Sequence, residues 1–144
     1  MKKVIFIVLS AVVFFSCKKD SKNEPQPCTI STTAISGSYK ITGAGYKANA
    51  TAPEIDYYTT LFPDACQRDD VYTFKADGTY QIADVGSVCS PSGSDVGTWA
   101  VVGNTMQVDG DPTTIESFDC KTLVLVNMDI DVAGDRLKLT LTKQ

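Results

Sequence analysis

Between Ser36 and the C-terminus, apolar side chains alternate with polar ones in short runs, and turn-forming residues break the runs about every ten positions. A period of two sends successive side chains to opposite faces of an extended chain, and no stretch of about 12 residues here keeps the 3.6 period of an amphipathic helix. The pattern predicts an all-β domain. Its clearest unit is VYTFKADGTYQI, in which Tyr72 and Phe74 alternate with polar residues, Ala76-Asp77-Gly78 turns, and Tyr80 and Ile82 alternate again. A three-residue loop with Gly78 in the left-handed conformation opposes Phe74 to Tyr80 and Tyr72 to Ile82. All four side chains then share one face.

GTWAVVGNTMQV predicts a second hairpin. Gly103-Asn104 is its turn, opposing Val101 to Met106 and Trp99 to Val108. A third follows, because Leu123 to Met128 is apolar except for Asn127, DVAGD turns it, and Leu137, Leu139 and Leu141 alternate with Lys138, Thr140 and Thr142. Adding GSYKITGAGYK near the start and TTIESF before Cys120 gives about eight antiparallel strands. With the last strand free to meet the first, they predict an up-and-down barrel, a closure that removes exposed sheet edges. The expected inward set is Tyr39, Ile41, Tyr72, Phe74, Tyr80, Ile82, Trp99, Val101, Met106, Val108, Leu125 and Leu139.

The beginning of the chain follows a different pattern. Lys2 and Lys3 precede Val4 to Phe15, an apolar run interrupted only by Ser10. That run falls short of the roughly 20 residues of a membrane-spanning helix and suits the core of a secretory signal peptide. Ser16-Cys17 resembles a bacterial lipobox, in which cleavage precedes the cysteine and the thiol receives a diacylglycerol, although Phe14 stands where Leu is commonest. Residues 1–16 are therefore expected as signal peptide, Cys17 as the lipidation site, residues 17–34 as a lipidated, flexible tether poor in apolar side chains, and residues 35–144 as the barrel domain.

Lipid on Cys17 leaves Cys28, Cys66, Cys89 and Cys120 for disulfides in an oxidising compartment. Count alone leaves three connectivities open. The Asp77-Gly78 hairpin, extended outward, carries Cys66 to the level of residue 88, and so favours Cys66–Cys89. Cys28–Cys120 then follows by elimination. The chain has no histidine and no C-x-x-C, which argues against a zinc site.

Without Lys2 and Lys3 the chain carries 11 basic and 17 acidic side chains, a net charge of −6. An acidic chain repels phosphate backbones, so nucleic acid is excluded as a partner. With no histidine the usual general base is absent, and no enzyme is expected. The carboxylates Asp69-Asp70, Asp109 with Asp111, and Asp129, Asp131 and Asp135 fall at predicted turns and strand ends, where aspartate caps backbone amides. DIDVAGD is similar to a calcium loop but lacks its terminal Glu and alternating oxygen ligands. No cofactor or metal is expected. Tyr57 and Tyr58 in APEIDYYTTLFP are candidates for a sugar-stacking platform or a lid, or else loop aromatics packed on the barrel.

Gly37-Ser38-Tyr39 looks like the G-x-W signature of lipocalins with Tyr for Trp, and Gly97-Thr98-Trp99 repeats it. The order C…DDVYTFxxDGTY…C…GTW resembles the lipocalin-like domains of small Bacteroidota outer-membrane lipoproteins, over roughly residues 34 to 144, and CKKD resembles their N-termini. The chain is shorter than a true lipocalin and lacks the helix pattern that lipocalins carry before the C-terminus. The resemblance implies a monomeric, lipocalin-like barrel at the outer membrane, anchored through Cys17, facing the periplasm or the cell surface. It also implies a small apolar or amphipathic ligand in the barrel, held by Tyr39, Tyr72, Phe74, Tyr80, Trp99 and Met106, with Tyr57 and Tyr58 at the mouth. The alternative is a barrel filled by its own side chains, binding a protein or glycan through its loops.

Overall fold

The computed structural model describes residues 28–144. The expected signal peptide and Cys17 lie outside the described residues. The alternating runs form β1 (Gly37–Lys47), β2 (Ile55–Asp56), β3 (Val71–Phe74), β4 (Thr79–Ala83), β5 (Asp95–Val102), β6 (Thr105–Val108), β7 (Asp111–Phe118), β8 (Thr122–Met128) and β9 (Arg136–Lys143). Every pairing is antiparallel. β1 meets β9 from Tyr39↔Lys143 to Lys47↔Arg136, so eight strands close into a barrel. β2 is the one addition to the expected set, a two-residue strand on the edge of β1 where β3 has run out.

The predicted hairpin registers hold. Phe74 faces Tyr80 and Tyr72 faces Ile82, and Val101 faces Met106 and Trp99 faces Val108; in the third hairpin, for which the sequence set no register, Leu125 faces Leu139. Gly78 supplies the turn with φ 86°, a conformation that costs glycine little because it has no Cβ. Its N–H donates to the Lys75 carbonyl at 3.1 Å.

Hairpin turns alternate between the two ends of the barrel. One end, the floor, carries the turns at residues 75–78, 103–104 and 119–121. It is closed by α1 (Thr32–Ile35), a single turn whose N-cap Ser31 accepts from the Ala34 N–H at 3.2 Å. Ile35 is fully buried, and its carbonyl accepts from the Tyr39 hydroxyl at 2.6 Å. The Cys28 N–H donates to the Phe118 carbonyl at 2.9 Å, and Cys28 is bonded to Cys120 with 5.3 Å between their Cα atoms. The expected tether boundary is corrected here. Residues 28–34 belong to the folded unit, because a disulfide, a backbone bond and the apolar contacts of Ile30 and Ile35 together outweigh the polar composition of the segment.

The other end, the mouth, carries the β1–β3 connection, the β4–β5 loop at residues 84–94 and the turns at 109–110 and 129–135. Cys66, in a 3-10 turn (Ala65–Gln67), is bonded to Cys89 and joins the first two. The DIDVAGD segment is a capped turn. Asp135, fully buried, accepts from the N–H groups of Ile130, Asp131 and Val132 at 2.7, 3.0 and 3.1 Å and from the Tyr46 hydroxyl at 3.0 Å. Burial pushes its pKa up, but these donors outweigh it and the net shift is downward.

Candidate functional site

Above the floor the barrel is incompletely filled. A cavity of about 150 Å³ is lined by Ile41, Tyr72, Phe74, Tyr80, Ile82, Val108, Leu125, Leu139 and Leu141. These are inward positions of strands β1, β3, β4, β6, β8 and β9, so the period of two that builds the sheet also builds the pocket wall. The lining is apolar. A space of that size holds one benzene-sized group and is smaller than the roughly 300–1,000 Å³ of sites that enclose drug-sized ligands. A wider depression of about 430 Å³ lies on the outer wall beside Gly43, Gly45 and Glu54. It is open, and Glu54 bridges across it to Lys138 and Arg136.

Gly97-Thr98-Trp99 shapes one side of the interior. Glycine is required at the first position because a Cβ there would lie 2.6 Å from Cε1 of Tyr80. In its absence the Tyr80 ring crosses β5 and donates its hydroxyl to Asp109 at 2.6 Å. Asp109 also accepts from the Thr98 N–H at 2.8 Å. The Tyr80 hydrogen bond, followed by the Thr98 amide, holds the Asp109 carboxyl below its ordinary range, while the same bond, followed by burial, pushes Tyr80 up. Trp99 lies under this pair, 5.2 Å from Phe74 between ring centroids, with Nε1 donating to the Lys75 carbonyl at 2.8 Å. This motif and the closed barrel coincide with a family match: residues 35–125 match the lipocalin-like domain. The chain is a member of that family. The match ends within β8, and β9, which closes this lipocalin-like barrel, lies beyond it. Comparison with curated proteins finds no match.

Of the eight candidate ligand residues, the lipocalin-like barrel brings Tyr72, Phe74 and Tyr80 together on the cavity wall. Tyr39, Trp99 and Met106 are placed lower, in the packed floor with Ile115, Phe118 and Leu123. Tyr57 and Tyr58 lie on the flank of β1. Tyr57 stacks on Tyr46 at 5.0 Å, and the Tyr58 hydroxyl donates to the Ile41 carbonyl at 2.9 Å. Both follow the packed-aromatic expectation and fill the gap left where β1 and β3 part.

Sequence reasoning assigned Asp70 to amide capping at a turn and passed over Asp84. Asp70 is only 7% exposed, and its Oδ1 and that of Asp69 are buried with no hydrogen-bond partner. Asp84 accepts from the N–H groups of Cys89 at 3.1 Å and Gly93 at 2.8 Å. Burial, then the charges of Asp84 and Asp69, pushes the Asp70 carboxyl above its ordinary value. Burial, then the Asp70 carboxylate and Tyr58, raises the neighbouring Tyr72 hydroxyl to about 12. The ion pairs among the described residues join Arg136 and Lys138 to Glu54 and Glu116, on the outer wall.

Proposed function

We propose that this protein is a membrane-anchored lipocalin-like lipoprotein that binds a small apolar or amphipathic ligand in its barrel, without catalysis. The observation that carries the binding reading is the apolar cavity of about 150 Å³ above a solid floor. Toluene is the simplest probe. It is expected to raise the melting temperature by mass action, since it binds the folded state alone, and Leu139→Phe, which fills the cavity, is expected to remove the rise. No stabilisation of the parent protein by toluene or other one-ring compounds would sink the reading.

The anchoring reading rests on the apolar leader and Cys17. Eleven peptide units separate Cys17 from Cys28, a reach of at most about 40 Å. Because Cys28 is tied to the floor, a lipid on Cys17 would hold the floor within that reach of the membrane, on either its periplasmic or its exterior side. Cys17→Ser is expected to abolish incorporation of labelled palmitate. A mature N-terminus that maps elsewhere, with no label in the parent protein, refutes this. A second reading, binding of a protein or glycan by the loops, is favoured by one feature: Val88 and Val132 at the mouth are 64% and 55% exposed.

A further inference from the structure

We propose that the ligand is a small primary amine, with its apolar part in the barrel cavity and its ammonium group between Asp70 and Asp84. This rests on the reading of the cavity as a ligand site. The β3–β4 ladder ends at Val71 with Ala83, and Asp70 and Asp84 are the next residues beyond it on the two strands. By strand alternation both fall on the face of Tyr72 and Ile82, which line the cavity, one step farther toward the mouth. The β4–β5 loop covers them. A Cβ on Gly93 would lie 3.4 Å from Asp70 Oδ2 and 4.0 Å from Asp84 Oδ2.

Like charges held close together are destabilising, and a buried carboxylate without a partner is costly. Asp84 is partly compensated by two backbone amides. Asp70 has a buried oxygen with no donor, no lysine or arginine among the described residues pairs with either, and the chain contains no histidine. The missing component is a cation with several N–H donors. An ammonium group offers three. Among the described residues no three acidic, cysteine or histidine side chains are arranged around a metal ion, which favours an organic cation. The adjoining cavity accepts the ring or short alkyl group that such a cation carries. The same charges repel a carboxylate, so fatty acids are disfavoured despite the apolar wall.

Calorimetric titration of the full-length protein at neutral pH with benzylamine, benzyl alcohol and phenylacetate tests this. Benzylamine is expected to bind at least about tenfold more tightly than benzyl alcohol, consistent with a charge-assisted hydrogen bond, and phenylacetate more weakly than either. Asp70→Asn removes an unpaired charge and is expected to fold. In it the preference for the amine over the alcohol collapses to about onefold. Equal affinity for amine and alcohol in the parent protein overturns the amine assignment and leaves the cavity reading intact. Absence of binding by all three overturns both. Stabilisation by calcium chloride that is lost in Asp70→Asn, with no amine preference, overturns the assignment in favour of a metal. Should Asp70→Asn not fold, the amine-to-alcohol ratio of the parent protein and of Asp84→Asn decides it.

Discussion

Replacing Cys28 and Cys120 together by serine is expected to lower the stability of the domain by about 4–5 kcal/mol, the chain-entropy value for so long a closed loop. The bond spans 92 residues of sequence and encloses six of the eight barrel strands, so cutting it releases much conformational freedom in the unfolded chain. The folded state loses order as well. Cys28 fixes the strand-like entry that leads into α1, and α1 delivers Ile35, fully buried, to the floor. The matched control is Cys66→Ser with Cys89→Ser. Its loop spans 23 residues, for which the same relation gives about 3–3.5 kcal/mol. Denaturant melts of both double variants check the pair. A smaller loss for the long loop than for the short one would mean that floor packing, rather than chain closure, carries the stabilisation. Hydrogen exchange separates the two effects further, because only the first variant should expose the amides of Ile35 and Ser36, which donate to Ser31 and Thr32.

Strand registers were legible in the sequence because period-two alternation and turn chemistry are local. Asp77-Gly78 and Gly103-Asn104 each fix a register within a dozen residues, and one-residue slips would turn Tyr72, Phe74, Tyr80 and Ile82 outward. The same local register, extended, led to Cys66–Cys89, although the ladder stops at Val71↔Ala83 and Cys66 itself sits in a 3-10 turn. α1 was not legible. Four residues are too few to express a helical period, and the segment is held by Phe118 and Cys120, both distant in sequence, as well as by the Tyr39 hydroxyl. The division of the inward residues into floor and wall was equally hidden. Tyr39 and Tyr72 are opposite each other on neighbouring strands, yet the first is buried beneath α1 and the second faces the cavity. That division depends on strand stagger around the barrel and on the plug, neither of which a hairpin encodes. Asp70 and Asp84 lay on the register already drawn for the cysteines. Aspartates beside a loop usually cap amides, as Asp135 and Asp109 do here, and sequence offers no way to recognise the one whose oxygen finds no donor.

Trp99→Ala is expected to cost about 3–5 kcal/mol, the range for removing a buried large aromatic side chain. Trp99 is 3% exposed and packs on Phe74, which in turn lines the cavity. Truncation therefore removes support from the ring that separates the floor from the pocket. The Lys75 carbonyl also loses its indole donor. Trp99→Phe divides these contributions: it keeps most of the packing and removes the hydrogen bond, which by itself accounts for about 0.5–1.5 kcal/mol. Denaturant melts of the two variants should show alanine losing clearly more than phenylalanine. Ligand size gives a second, independent readout. With the indole gone, the space beneath Phe74 becomes available to it, and a two-ring compound such as naphthalene should stabilise Trp99→Ala while leaving the parent protein unaffected. Equal losses in the two variants, with no gain in accepted ligand size, would locate the role of Trp99 in its hydrogen bond to the Lys75 turn and not in the floor that sets the depth of the cavity.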